Sequence, residues 1–289
     1  MITNFNANKV YLSKGMISER YLDATKRLLS ALHRNKIEWG ILPNTSSPYH
    51  IWARDYMPVQ VSKDKFVRFN YDPDYLRDFP KYKPDTSSIL KELGIKIIDT
   101  NIVLDGGNVI SCGDKVIMTD KIFRENPHYD RTMLIDTLGQ LLEARPILIP
   151  EDEYDEYGHS DGMVRYIGEN RVLLNNYCDF DKTLHKKLLA ALRPHFDITE
   201  LHYDAYTNWS WAYINFLQIG QHIFVPMLED KLAETAFRQI TEVYSQCECH
   251  QIWDYDNIVR EGGALNCSTW NILTEMLEKE KKEKLQNII

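Results

Sequence analysis

The chain has 289 residues, of which 44% are hydrophobic and 26% are charged. Both fractions are typical of a globular protein with a sizeable core, so the composition excludes a disordered chain. The net charge of −8 disfavours nucleic acid and anionic membranes as partners and mildly favours a cationic ligand.

The cysteine pattern and the N-terminus indicate a cellular compartment. The five cysteines are odd in number and form no CxxC pair, which argues against a disulfide framework and a structural zinc site. No apolar run approaches the roughly 18 residues that a membrane span needs, and no leader-like segment opens the chain. We therefore expect a soluble, cytoplasmic protein with reduced thiols. The cysteines are Cys112, Cys178, Cys247, Cys249 and Cys267.

Helices and hairpins alternate along the chain. Apolar residues at helical spacing and plausible N-caps predict six helical segments. They begin after Ser18, after Thr86, after Asp130, after Asp181, near Leu232 and after Cys267. The last segment ends in the charged run EKEKKEKL, which is typical of a solvated helix face. Four hairpins are predicted between the helices: PVQV-SKDK-FVRFNYD, VISC-GDK-VIMTDKIF, MVRYI-GEN-RVLLNNY and NFLQI-GQH-IFVPML.

A polar residue opens or closely precedes each hairpin, and these residues keep a regular step. Successive members lie between 50 and 56 residues apart: Asp55, Asp105, His159 with Asp161, Asn215 and Cys267. A near-constant step of this size is typical of a repeat architecture such as a propeller. We therefore predict an α/β fold of five pseudo-symmetric ββαβ-type units, forming one domain over residues 1–289. Equivalent positions on five such units would converge in one cleft.

Cys267 lies in the stretch EGGALNCSTW, directly before a predicted helix. A thiol at a helix N-terminus has a lowered pKa, because exposed N–H groups stabilise the thiolate. A lone cysteine is more often a small core residue. The glycine pair, the helix start and the repeat position together favour a nucleophile.

The other polar positions carry proton-transfer and charge-binding groups. His159 and Asp161 lie two residues apart in GHSDG, so in a strand both side chains face the same way and suit proton transfer to a charged substrate. Asp55 follows Arg54 directly; the two could form an ion pair, but adjacent strand residues point to opposite faces. Asp105 precedes two glycines, which either allow a close approach or mark a tight turn.

The set combines one thiol, one imidazole, three carboxylates and one amide. Several carboxylates in one cleft are unfavourable unless a cation sits among them. A guanidinium is such a cation, and its planar nitrogens match carboxylates in pairs. A neighbouring thiolate can attack its central carbon, so the set predicts a cysteine hydrolase acting on a guanidino group.

Five motifs in chain order carry a family resemblance: WARDYMP, LDGGN, GHSDGMVR, WAYINF and GGALNCST. They resemble the agmatine deiminase and bacterial peptidylarginine deiminase family, and they span Trp52 to Thr269. That family belongs to the guanidino-group-modifying enzymes, so the resemblance implies their five-bladed propeller, the pentein fold. Agmatine deiminases typically carry Glu at the position of Asp105 and often carry His at the position of Asn266.

The resemblance implies a role for each matching residue. Cys267 corresponds to the nucleophile, His159 to the general acid and base, and Asp105 to the carboxylate that supports the histidine. The residues expected to bind substrate are Asp55 and Asp161, which hold the guanidinium nitrogens, with Trp52, Arg54, Asn108, Arg165 and Asn215. Arg54 and Arg165 are candidates for binding the carboxylate of free arginine.

The expected reaction forms a thiouronium on Cys267 and releases ammonia and a ureido product, with neither a metal nor an organic cofactor. Agmatine, which would give N-carbamoylputrescine, is the first candidate substrate. Arginine, peptidyl-arginine, an amine acceptor in an amidinotransferase, and a non-catalytic binder of guanidino compounds are alternatives. A metallohydrolase using His159, Asp161 and Asp55 is a further one. The expected partner is a small cationic guanidino compound, without nucleic acid or membrane, and a homo-oligomer stays open.

Overall fold

The computed structural model describes residues 1–47, 49–203 and 207–274. The strands of the described residues are β1 Lys9–Ser13, β2 Glu38–Leu42, β3 Val59–Ser62, β4 Lys65–Asn70, β5 Ile97–Val103, β6 Ile110–Ser111, β7 Lys115–Thr119, β8 Arg145–Ile149, β9 Val164–Gly168, β10 Arg171–Leu174, β11 Asp197–Glu200, β12 Leu217–Ile219, β13 His222–Pro226, β14 Glu248–Ile252 and β15 Thr269–Ile272.

The helices vary from one turn to more than three turns. They are α1 Leu22–Arg34, α2 Ala53–Tyr56, α3 Thr86–Leu93, α4 Lys121–Glu125, α5 Arg131–Leu142, α6 Tyr177–Phe180, α7 Lys182–Leu192, α8 Trp211–Ile214, α9 Ala233–Val243 and α10 Asp256–Val259. Across the described ranges, no helix is both long and apolar enough to cross a membrane.

The strands form five three-stranded sheets of one pattern. The sheets are β3-β4-β5, β6-β7-β8, β9-β10-β11, β12-β13-β14 and β15-β1-β2. In each sheet the middle strand is antiparallel to the first and parallel to the third. The antiparallel pairs of the first four sheets are the four predicted hairpins, which are therefore confirmed.

A helix connects the parallel strands of every sheet, because parallel neighbours cannot be joined by a tight turn. These helices are α1, α3, α5, α7 and α9. Asp130 and Asp181 cap α5 and α7 by accepting hydrogen bonds from backbone N–H groups of the first turn. The leucines at helical spacing in these two helices are buried. Each unit is thus ββαβ, and the predicted α/β architecture of five units is confirmed.

The fifth sheet combines the two ends of the described chain, and it corrects one prediction. The segment after Cys267 is strand β15, with register Lys9↔Ile272 against β1, and not a helix. All four residues of β15 are buried, and aromatic and β-branched residues suit such a strand. Pairing with β1 and burial therefore outweigh the helical pattern. The run EKEKKEKL lies outside the described residues.

A short turn precedes the first strand of each unit and brings the functional residues together. These turns are α2, the 3₁₀ turns Gly106–Asn108 and Ser160–Gly162, α8, and residues 264–268. Gly107 N–H donates to the Asp55 side chain over 2.9 Å, and Arg54 N–H donates to the Cys267 carbonyl over 3.0 Å. Asn266 N–H donates to the Asn215 carbonyl over 3.0 Å. Residues from turns far apart in sequence therefore meet at one end of the fold.

Candidate active site

Cys267 lies in the last of the five turns, and its side chain is 6% exposed. The thiol donates to Asn215 Oδ1 over 3.3 Å and lies 3.4 Å from Asp161 Oδ2. The backbone N–H of Cys267 also donates to Asn215 Oδ1, over 3.3 Å. The amide of Asn215 and the carboxylate of Asp161 therefore fix the position of the sulfur.

The electrostatic surroundings of the thiol differ from the sequence prediction. Burial, with the charges of Asp161 and Asp55, raises the pKa of Cys267 well above its usual value. The prediction that a helix start lowers this pKa is wrong, because a strand begins at Thr269. The thiol of the free protein is therefore protonated at neutral pH, and a nearby cation would be needed to stabilise its thiolate.

His159 lies just ahead of the Ser160–Gly162 turn. Its Nε2 is 2.7 Å from Asp105 Oδ2, and its Nδ1 is 3.7 Å from Asp55 Oδ1. Burial alone would lower the pKa of the imidazole, but the charge of Asp55 and the hydrogen bond to Asp105 outweigh it and raise the pKa to about 9. The imidazole is therefore protonated at neutral pH, and Nδ1 is the nitrogen left to exchange a proton.

Asp161 lies within the same 3₁₀ turn, so the prediction that it shares a strand with His159 is wrong. Its Oδ2 accepts a hydrogen bond from Asn266 Nδ2 over 2.7 Å, in addition to its contact with the thiol. A turn presents the imidazole and the carboxylate to the same site as a strand would have done. Asn266, the residue just before Cys267, thus positions a carboxylate.

Asp105 is completely buried and contacts His159 despite its short side chain. Its Oδ2 also accepts from Lys121 Nζ over 2.7 Å and from Tyr75 Oη over 3.3 Å. Burial raises the pKa of this carboxyl, but Lys121 and His159 together outweigh burial and lower it. Lys121 could not be predicted from the sequence as part of the site, because a lysine is almost never fully buried and the stretch TDKIF gives no sign of it.

Asp55 lies in the short helix α2, so the prediction that Arg54 and Asp55 are adjacent strand residues is wrong. Burial raises the pKa of Asp55 to about 7, although His159 opposes the shift. Arg54 does not pair with Asp55: its guanidinium donates to the Asn266 carbonyl over 3.4 Å and to the side chain of Asn271.

The structure places two predicted substrate ligands behind the site. Arg54 and Arg165 line a separate cavity of about 70 Å³, and neither lines the clefts that reach Cys267. The Arg165 guanidinium lies 4.8 Å from the centre of the Phe216 ring. Asn108 is buried, and its Oδ1 accepts from the Thr119 N–H over 2.8 Å, so it connects its turn to β7.

Glycines allow the close approaches within this site. A Cβ on Gly107 would lie 2.6 Å from His159 Nδ1 and 2.7 Å from Asp55 Oδ1. A Cβ on Gly106 would lie 1.9 Å from the Arg54 carbonyl oxygen. These distances are shorter than any van der Waals contact, so only glycine fits. The prediction that the glycines after Asp105 permit a close approach is confirmed.

Two clefts reach Cys267 and His159, with volumes of about 790 and 1140 Å³. Asp55 and Trp52 line the smaller cleft, whereas Asp161 and Asn215 line the larger. The smaller cleft is also rich in aromatic residues: Tyr21, Tyr49, Tyr71, Tyr75, Phe79 and Tyr82. Acidic residues line one or both clefts: Glu19, Asp152, Asp155, Glu156 and Glu261. These linings suit a cationic ligand with apolar parts.

Side chains that could share a metal ion lie away from these clefts. Within the described residues, the groups with suitable spacing are Cys178–His185–Glu200, Cys178–Asp179–His202 and His222–Glu248–His250. None of them combines His159, Asp161 and Asp55, the set that a metallohydrolase would use.

Solved structures share the fold over nearly the whole chain. An agmatine deiminase variant from C. jejuni with substrate bound has a TM-score of 0.75 at 17% identity, covering 94% of this chain and 96% of that chain. The agmatine deiminase of Enterococcus faecalis has a TM-score of 0.76 at 15% identity, covering 96% of each chain. The N-terminal domain of a cyanobacterial arginine dihydrolase has a TM-score of 0.64 at 11% identity, covering 93% and 99%. These similarities establish the five-bladed propeller of the agmatine deiminases, the pentein fold.

The family follows from the sequence profile. The profile of the Porphyromonas-type peptidyl-arginine deiminases matches residues 13–272. The chain belongs to this family, and it is therefore a guanidino-group deiminase by family, a hydrolase of C–N bonds. The resemblance seen in the five motifs is confirmed. Comparison with curated protein sequences gave no significant match.

Proposed function

We propose that the protein converts a guanidino group to a ureido group and ammonia through a covalent intermediate on Cys267, with agmatine as its substrate. The observation that carries this proposal is the buried thiol of Cys267 next to Asp161 and within electrostatic reach of Asp55. The negative charges of a Cys267 thiolate and of these two carboxylates are unfavourable so close together until a cation binds among them. A guanidinium supplies that charge and also the carbon that the sulfur attacks.

Substrate binding would create the nucleophile. A guanidinium held by the carboxylates of Asp55 and Asp161 offsets the charges that raise the pKa of the thiol. The thiol then loses its proton to solvent when substrate is present and stays protonated when substrate is absent. This behaviour would protect the thiolate from other electrophiles, because the reactive form exists only in the complex.

The first half of the reaction forms a C–S bond. The Cys267 thiolate attacks the central carbon of the guanidinium. The imidazolium of His159 donates its Nδ1 proton to the departing nitrogen, the C–N bond breaks, and ammonia leaves. A thiouronium remains on the sulfur, and His159 is now neutral.

The second half regenerates the enzyme. Neutral His159 accepts a proton from a water molecule, whose oxygen attacks the thiouronium carbon. The C–S bond breaks, the thiolate leaves, and the hydroxyl proton of the new ureido group passes to solvent. The hydrogen bond between His159 Nε2 and Asp105 would hold the imidazole in one orientation through both halves.

The linings of the clefts favour agmatine over free arginine. Agmatine carries an ammonium and no carboxylate, and both clefts are lined by acidic side chains. The carboxylate of arginine would need a cation, but Arg54 and Arg165 lie around the rear cavity, and Arg20 at the smaller cleft pairs with Glu261. Arg260 lines the larger cleft, where acidic side chains outnumber basic ones. The aromatic rings of the smaller cleft offer faces to which an ammonium is attracted.

Product analysis tests the proposal. Ureido-product formation is measured with agmatine, arginine and a blocked arginyl peptide, using wild type and Cys267→Ala in parallel. We expect turnover of agmatine by wild type and none by the variant. Turnover of arginine or the peptide alone would reassign the substrate and keep the mechanism.

Two other outcomes would replace the proposal. An amidino group recovered on an added amine would indicate an amidinotransferase. Binding of all three compounds without any product would indicate a non-catalytic binder of guanidino compounds.

A further inference from the structure

Lys121 is a completely buried cation that lines neither cleft. It is the first residue of α4, and its ammonium lies 2.7 Å from Asp105 Oδ2 and 3.2 Å from Glu125 Oε1. The ring of Tyr75 lies beneath it, with the centre 4.8 Å from Nζ. A buried ammonium is costly unless it is paired, so these contacts are what hold Lys121 in place.

Lys121 and His159 contact the same oxygen of Asp105. His159 Nε2 and Lys121 Nζ each lie 2.7 Å from Oδ2. The other oxygen, Oδ1, is buried and has no hydrogen-bond partner within the described residues. Lys121 could have neutralised Asp105 through that second oxygen without touching the bond to the imidazole. Two cations instead share one acceptor, so the strength of one contact depends on the other.

We propose that Lys121 is a positioning residue: its ammonium fixes the Asp105 carboxylate and, by sharing Oδ2, limits how strongly that carboxylate holds the imidazolium of His159. The inference rests on the proposed deiminase function, in which His159 must release a proton and then take one back. An unshared Asp105 would still orient the ring but would hold its proton more firmly.

The charges around His159 determine whether its pKa rises or falls when the charge of Lys121 is removed. The groups that face it from the surrounding elements are Asp55, Tyr75, Asp105, Lys121, Glu125, Asp155, Tyr157, Asp161 and Cys267. Asp55 and Asp105 raise the pKa of His159, whereas Lys121 lowers it. Removing the lysine charge leaves His159 as the cationic partner of Asp105. The pKa of His159 should then rise, and its proton should leave more slowly.

The test measures the titration of His159 by NMR in the unliganded protein. His159→Asn identifies its resonance by the loss of one signal. In Lys121→Met we expect the pKa of His159 to move upward by about one unit, a shift typical of losing a neighbouring like charge. Lys121→Arg keeps the charge and should stay near wild type. Lys91→Met, at an exposed position of α3, is the matched control and should not change it.

Activity supplies a second readout that a merely structural role would not reproduce. In Lys121→Met we expect kcat for ureido-product formation to fall roughly tenfold, KM to change little, and the alkaline limb of the pH profile to move upward with the NMR titration. An unchanged or lowered pKa of His159 in a folded Lys121→Met would overturn the inference.

A second variant keeps the test decisive if Lys121→Met does not fold. Glu125→Gln leaves the lysine charge in place and releases it from its other carboxylate, so Lys121 should bind Asp105 more strongly. We expect the pKa of His159 to fall, and a rise would overturn the inference. The NMR titration needs no turnover, so a wild type without deiminase activity would refute the proposed function and leave the test of Lys121 intact.

Discussion

The ring of five turns has two faces that differ in charge and in space. Neighbouring residues go to opposite faces: Arg54 and Asn266 line the rear cavity, whereas Asp55 and Cys267 line the front clefts. The front has acidic linings and large openings, and the rear holds buried guanidinium groups around about 70 Å³. The same backbone turns therefore build a site that can bind a cation and, behind it, a support that balances the carboxylates.

The difference shows how the protein keeps several carboxylates together. Arg54 is half-buried, and the desolvation of its guanidinium, together with the neighbouring Arg165, lowers its pKa to about 10. That value leaves Arg54 charged at neutral pH, where it opposes the negative charges of Asp55 and Asp161 from the rear. The rear cations thus stabilise the front carboxylates without occupying the position of a substrate.

The largest loss of activity should come from replacing the sulfur of Cys267, which lines the front clefts. Cys267→Ser keeps the shape of the side chain but provides a much weaker nucleophile, so we expect ureido-product formation to fall at least about 1000-fold. Isothermal titration should show that the variant still binds agmatine. Cys247→Ser, at a partly exposed thiol, is the control and should keep full activity. Turnover above a tenth of wild type in Cys267→Ser would contradict the assigned nucleophile.

The second effect concerns the close approach between turns. Gly107→Ala would push a methyl group against His159 and Asp55, and a displacement of this kind can cost about 100-fold in kcat/KM. Gly162→Ala is a matched control, because its added Cβ would meet nothing within 4 Å; we expect less than about a twofold change. Equal losses in the two variants would show that the tight contact at Gly107 has no special role.

The pH profile of kcat/KM tests the roles of Asp55 and His159 directly. In the proposed mechanism, binding a guanidinium needs the Asp55 carboxylate, whose pKa is raised to about 7, so kcat/KM should fall as the pH drops below that value. The same mechanism needs the His159 imidazolium, whose pKa is about 9, to release ammonia, so kcat/KM should also fall above pH 9. On each limb kcat/KM should change by up to tenfold per pH unit. The apparent pKa values of about 7 and 9 belong to Asp55 and His159 as an interacting pair. A profile that is flat between pH 5 and 8 would contradict this assignment.

The smallest change in reactivity should come from replacing Arg54, which lines the rear cavity. Arg54→Met removes a positive charge behind the site, so alkylation of Cys267 by iodoacetamide at neutral pH should slow about three- to fivefold. The acid limb of kcat/KM should move upward, because Asp55 loses a stabilising charge. Arg238→Met, which breaks an exposed pair with Glu242, is the control. Faster alkylation in a folded Arg54→Met would mean that the rear charge does not support the thiolate.

Local features allowed much of the fold to be predicted. The hairpins follow from turn residues between apolar runs, and positive φ angles at Gly113, Glu169, Asn170 and Gly220 occur in those turns. The capped helices follow from Asp130 and Asp181, whose side chains bond to the next few residues. Because five similar units repeat these signals, their regular spacing also predicted which polar residues would meet.

Other features depended on partners far away in the chain. Residues 269–272 became a strand because β1, more than 250 residues earlier, offers it a pairing edge. The side on which Arg54 lies, the burial of Lys121 and the raised pKa of the Cys267 thiol likewise depend on neighbours from other units. The sequence by itself determined the repeat, the hairpins and the reactive residue types, since these arise from local conformation. Only the tertiary structure decided the charge states of the side chains and the side of the ring of turns on which each one lies. Burial and electrostatic fields depend on neighbours from the whole fold.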